Sequence, residues 1–154
     1  MQYNEINGDL IVLARKGEFD AISHGVNCFS NMGAGIAVAM KREFGCDKFR
    51  LENPLTRGDI NKLGQIDYEN RGIGPDKILT VINSYTQYVP SVQLKPLDYE
   101  ALTLCMRKIN HTFKGKRIGL PRIGAGLAGG DWMRIKEIIK TELVDCDVTI
   151  VMKP

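Results

Sequence analysis

The sequence predicts an α/β fold, a three-layer α/β/α sandwich in which helices cover both faces of a mixed, mostly parallel central sheet. Three observations carry the prediction. Short apolar or β-branched runs alternate with stretches of helical period along the whole chain, the pattern of a sheet whose strands are joined by helical crossovers. Two glycine-rich turns, Met32 to Ala37 and Arg122 to Gly130, each follow a strand pattern and open a helical one, as the connections of such a sheet do. The 154 residues, 44% apolar and 25% charged, have the composition of a globular domain and the length of one, so a single domain over 1–154 is expected.

Gln2 to Ile6 alternates weakly, Leu10 to Leu13 is apolar, and Phe19 to Val26 runs from a polar approach into a half-buried pattern; all three read as early strands. From Ala34 to Phe44 the period turns helical, with Ile36, Met40 and Phe44 on one face and Lys41, Arg42 and Glu43 on the other, and Gly45 ends it. Residues 46–64 are polar and broken by Asn53-Pro54 and Arg57-Gly58, which suits a short helix and a loop. Gln65 to Tyr68 begins a strand, Arg71 to Pro75 reads as a turn, and Ile78 to Asn83 is a β-branched run for the middle of the sheet. Pro96 fits a first helical turn, after which Leu97, Ala101, Leu104, Cys105 and Ile109 form an apolar face. Arg117 to Leu120 is a short strand, Trp132 to Leu143 a helix anchored by Trp132, and Val148 to Met152 a closing strand.

The remaining composition excludes several classes. A net charge of +3 with dispersed Lys and Arg argues against nucleic acid as a partner, and the Lys41-Arg42 and Lys114 to Arg117 clusters read as solvated faces. Cys28, Cys46, Cys105 and Cys146 have no metal-ligand spacing, so neither a metal nor a cofactor is expected and reduced thiols are. No apolar run approaches the roughly 20 residues that span a bilayer, and nothing at the N-terminus reads as a signal. A soluble, cytoplasmic monomer is the expectation.

The chemistry sits in the two glycine turns. Glycine lets backbone N–H groups approach a phosphate, and a helix start adds unpaired donors and the positive end of its dipole. Two such cradles on one small domain point to a ligand with two linked phosphates. Gly124 to Gly129 matches G-x-G-x-x-G, yet a dinucleotide-binding chain would carry that turn in its first βαβ unit, and here one strand remains after it. Neither turn continues into the Gly-Lys-Ser/Thr of a P-loop.

Asn7-Gly8-Asp9-Leu10, Ser23-His24-Gly25-Val26-Asn27-Cys28 leading into Met32-Gly33-Ala34-Gly35-Ile36-Ala37, and Pro121-Arg122-Ile123-Gly124-Ala125-Gly126-Leu127 together resemble the macrodomain pattern, over nearly the whole chain. The resemblance implies a pocket for ADP-ribose derivatives, whether free or attached to protein. By it Asp9, with the backbone of Leu10, would accept from the adenine amino group; its other reading is an Asx turn after Gly8. Asn27 would hold the distal ribose, or else be a satisfied amide at a strand end. Gly33, Ala34, Gly35, Ile36 and Ala37 would line the distal ribose and one phosphate, while Arg122, Ile123, Gly124, Ala125, Gly126 and Leu127 would cover the diphosphate. Tyr85 either closes a wall of the pocket or packs in the core.

The branch with the nearest likeness holds a yeast-type ADP-ribose 1''-phosphate phosphatase and a terminal ADP-ribose protein glycohydrolase. The glycohydrolase uses a lysine at the end of the central strand and an aspartate after the second glycine turn; here Ser84, counted among the pocket residues, and Ala128 stand in their places. Without the amine no Schiff base with the sugar forms. The phosphatase carries a histidine where this chain has His24, so His24 becomes the candidate general acid or base, with Asp131 to orient or activate water. Their other readings are a buried core histidine and an N-cap before Trp132. His111 reads as a helix-end residue and Cys28 as a small filler. The expected function is removal of the terminal phosphate from ADP-ribose 1''-phosphate; the alternatives are hydrolysis of ADP-ribose esters, on protein or as O-acetyl-ADP-ribose, and non-catalytic binding of ADP-ribose.

Overall fold

The computed structural model describes residues 2–91 and 94–154. Six strands form one sheet: β1 (Tyr3–Asn7), β2 (Ala21–Asn27), β3 (Ile66–Gly74), β4 (Lys77–Gln87), β5 (Arg117–Leu120) and β6 (Asp147–Met152). Their order across the sheet is β1-β6-β5-β2-β4-β3. Every neighbouring pair is parallel except β3 with β4, which form an antiparallel hairpin at one edge. The helices are α1 (Leu10–Arg15), α2 (Ile36–Phe44), α3 (Tyr99–Thr112) and α4 (Trp132–Glu142).

Strand alternation divides the core in two. Ala21, Ile82, Ile118, Val148 and Ile150 point to the face covered by α3 and α4, where Leu102, Met106, Ile109, Ile135 and Ile139 meet them. Ile22, Leu79, Val81, Tyr85 and Val151 point to the other face, packed by Leu10 and Ala14 of α1, Met40 and Phe44 of α2, and Phe49. Both layers are buried, and the sheet between them is fixed on two sides. Among the described residues no helix is long and apolar enough to cross a membrane, and no group of three or more His, Cys, Asp or Glu could hold a metal ion.

Local sequence explains most boundaries and corrects four expectations. Leu10 to Leu13 is not a strand but the start of α1, because Oδ1 of Asp9 accepts from the N–H groups of Ile11 and Val12 at 3.0 and 3.1 Å and caps a helix there. A four-residue apolar run fits either period, and the cap decides it. The strand β3 runs through Arg71 to Gly74, with a register break between Gly72 and Gly74; the turn follows, and Asp76 takes a positive φ of 57°. Pro96 precedes the helix rather than opening it: α3 begins after Asp98, whose Oδ1 accepts from Ala101 N–H at 2.9 Å. Residues 46–64 form four single 3₁₀ turns, Cys46–Lys48, Arg50–Glu52, Pro54–Thr56 and Ile60–Lys62. The helix α2 ends at Gly45, left-handed at φ 65°, as the sequence requires.

Candidate functional site

The carboxyl ends of β2 and β5 deliver the two glycine turns to the same edge of the sheet. Gly33, Ala34, Gly35, Ile36 and Ala37 from the first turn face Arg122, Ile123, Gly124, Gly126 and Leu127 from the second across a cavity of about 480 Å³. A second cavity of about 710 Å³ adjoins it, lined by Asp9 and Leu10, Ala125, Trp132 and the end of β6 from Val151 to Lys153. Gly35, Ile36, Pro121, Arg122 and Gly126 line both. The two turns therefore form a ridge between two chambers of one groove.

Close packing sets the shape of the ridge. Gly35 has φ 62° and ψ −150°, a conformation reserved for glycine, and a Cβ there would lie 3.0 Å from Cδ1 of Leu127. The turns thus touch through Leu127 and Gly35. The second turn is pinned from behind: a Cβ on Gly130 would collide with Leu97 and stand 2.7 Å from the Gly124 carbonyl oxygen. No side chain caps the start of α2; Val38 N–H donates to the Gly35 carbonyl at 3.3 Å, while the N–H groups of Ile36, Ala37, Gly126 and Leu127 meet no acceptor among the described residues. Unpaired donors at a helix start are suited to an anion.

Asn27 organises the approach to the first turn. Its Nδ2 donates to the Asn31 carbonyl at 2.7 Å, and its Oδ1 accepts from Phe29 N–H at 2.9 Å and Asn31 N–H at 3.3 Å. Asn31 in turn accepts from Gly33 N–H through Oδ1 at 3.0 Å. Asn27 lines the first cavity, but its oxygen is occupied and one Nδ2 hydrogen remains. The satisfied amide and the cavity wall are the same residue.

No family model matches the chain. An uncharacterized 17.5 kDa protein of Enterobacteria phage T4 is 33% identical over 95% of this chain and 93% of its own length, so the two belong to one family. Among solved structures, the macrodomain of Thermus aquaticus DarG superposes with a TM-score of 0.72 at 20% identity, over 99% of this chain and 98% of that one. Thermosipho africanus DarTG, solved in complex with ADP-ribose, matches all of this chain and 42% of its own, with a TM-score of 0.72 at 15% identity.

The chain has the fold of the macrodomains.

Within this macrodomain-like fold both expected catalytic side chains lie outside the two cavities. The alternation of β2 turns His24 into the core beside Ile22, with no exposed surface. Its Nε2 donates to Oδ1 of Asn83 at 2.8 Å; Asn83 is oriented by its own Nδ2, which donates to the Cys46 carbonyl at 3.0 Å. Nδ1 has no partner. Burial pushes the His24 pKa down to about 4, so the ring is neutral at physiological pH and carries no charge to offset a phosphate. His24 is thus a buried, uncharged side chain that lines neither cavity.

Asp131 caps α4. Its Oδ1 accepts from Met133 N–H at 3.1 Å, and its own N–H donates to the Tyr99 hydroxyl at 2.8 Å. It lines neither cavity. Ser84 is also removed from the pocket: it is buried, and its Oγ shares a 2.7 Å hydrogen bond with Oγ of Ser23. The end of β4 lies three residues further, at Gln87, which does line the first cavity. A carboxamide stands there, so the strand end still offers no amine.

Tyr85 packs on the opposite face, where its hydroxyl donates to Oε2 of Glu52 at 2.9 Å and lies 3.4 Å from Oδ2 of Asp67. Both carboxyls are buried, each keeps one oxygen without a partner, and burial raises both pKa values. Asp9 and Leu10 do reach the groove, although Oδ1 of Asp9 also caps α1. Sequence reading missed Asn31, Gln87, Pro90 and Lys153; Trp132, expected to anchor α4 in the core, packs half-buried against it and also forms a wall of the larger cavity. Arg122 is the single charged side chain among the described residues that line the smaller cavity. Its guanidinium stands 5.2 Å from the Trp132 ring centroid.

Proposed function

We propose that this macrodomain binds ADP-ribose derivatives with their two halves on either side of the ridge. One observation carries the reading: two loops bearing open N–H groups, from separate strand ends, line one groove and share its narrowest part. In this arrangement adenosine occupies the larger cavity against Trp132, where Oδ2 of Asp9 remains as an acceptor for the amino group. The diphosphate crosses the ridge of Gly35, Ile36 and Gly126, and the distal ribose enters the smaller cavity beside Asn31 and Gln87. The ADP-ribose complex of Thermosipho DarTG, which shares the fold, supports the choice of ligand.

Hydrolysis of ADP-ribose 1''-phosphate is the second reading, favoured by the cation Arg122 at the edge of the smaller cavity. With no carboxylate or imidazole among the described residues that line that cavity, the attacking water would lose its proton to the phosphate of the substrate itself. The leaving sugar hydroxyl would be protonated by solvent.

The test is calorimetry with ADP-ribose, followed by incubation with ADP-ribose 1''-phosphate, O-acetyl-ADP-ribose and ADP-ribosylated protein. Heat on binding is the expected result, and its absence ends the proposal. Phosphate release would establish the monoesterase, free ADP-ribose from the esters or from protein would establish a hydrolase of those bonds, and heat with no product would leave a binding module.

A further inference from the structure

We infer that Arg122 is a specificity-determining residue that selects ligands by the charge of the bridge between their two halves. The inference rests on the proposed ADP-ribose site and adds to it a side chain whose contribution is ionic, where the loops contribute backbone N–H groups.

Four observations meet at this residue. Arg122 lines both cavities, so any ligand that spans them passes its side chain. The guanidinium lies over the Trp132 ring at 5.2 Å, a cation–π contact at the wall of the larger cavity. Its side chain forms no hydrogen bond or ion pair with any described residue, and among the described arginines it alone lines the cavities. Its backbone is held in place, because its carbonyl accepts from Ala125 N–H at 3.1 Å and the next residue, Ile123, is buried.

An unpaired cation held at the junction of two cavities favours an anion there. The fork of the guanidinium fits two oxygens of a phosphate, and such charge-assisted pairs are about twice as strong as neutral ones. The other charged side chains on the groove, Asp9 and Lys153, line the larger cavity alone. Arg122 therefore distinguishes a ligand with a charged bridge from one without.

The experiment measures dissociation constants of ADP-ribose and of adenosine for the natural protein, Arg122→Gln and Arg122→Lys, at low and high salt, with circular dichroism to establish folding. Arg122→Gln is expected to weaken ADP-ribose roughly tenfold or more and to change adenosine less than about twofold, since adenosine brings no phosphate to pair. Raising salt from about 0.05 to about 0.5 M should close most of the gap between the natural protein and Arg122→Gln, because an exposed ionic contact is screened and a purely structural role is not. Arg122→Lys should recover only part of the loss, for lack of the fork.

Equal ADP-ribose affinity in the natural protein and Arg122→Gln would overturn the inference and leave the ADP-ribose reading intact. A gap that does not change with salt, or a parallel loss for adenosine, would also overturn it by assigning Arg122 to packing. No binding of ADP-ribose by the natural protein would remove the proposed function itself.

Discussion

At the scale of single residues, His24 shows how a pleat decides chemistry. One position along β2 in either direction faces the α3 and α4 side of the sheet, but His24 falls on the side of Ile22, sealed from water. Its pKa is lowered to about 4 from the ordinary 6.5, so the folded protein binds the proton less readily than the unfolded chain. Stability is then fully present above the unfolded value and is lost as pH falls from about 6.5 toward 4, by on the order of 3 kcal/mol. Imidazole shifts followed by NMR should stay those of a neutral ring from pH 8 down to about 5. A titration midpoint near the ordinary value would show a solvated ring and reopen its catalytic candidacy. The sequence named His24 correctly as a histidine on a strand; which face it takes depends on register, which no local motif records.

At the scale of elements, the loops and caps were the most legible parts. Both glycine turns, the Gly45 stop and the Asp131 cap follow from residue types that act within three or four positions. Expectations failed where the deciding contact was a single side chain or came from far along the chain. Asp9 turned the apolar run Leu10 to Leu13 into a helix. Ser84 was placed at a strand end that lies three residues further on. For Asp131 the cap role gives a definite expectation: Asp131→Ala should lower stability by about 1 kcal/mol in chemical denaturation while ADP-ribose affinity stays unchanged. A large loss of affinity or turnover in a folded Asp131→Ala protein would return the residue to the site.

The whole molecule joins a buried sheet to a groove at one edge, and its pH response should come from the far side of that sheet. Glu52 and Asp67 are buried around the Tyr85 hydroxyl, which has one proton to give to two carboxyls. Burial raises both pKa values. For a carboxyl of this kind, stability is fully present below the unfolded pKa and is lost as pH rises through the folded one. Asp67→Asn cannot ionise, so its stability relative to the natural protein should improve steadily with pH. Urea midpoints at acid, neutral and alkaline pH measure this, and a difference that does not vary with pH would mean that Asp67 titrates normally.

One consequence of the sheet order is practical. β1 and β6 run side by side in the same direction, so the chain enters at the end of the sheet remote from the groove and leaves where Val151, Met152 and Lys153 line the larger cavity. Any polypeptide joined after Pro154 would emerge at the rim where a nucleotide enters. An affinity tag or surface tether for binding measurements therefore belongs at the amino terminus, since one at the carboxyl terminus would compete for the doorway.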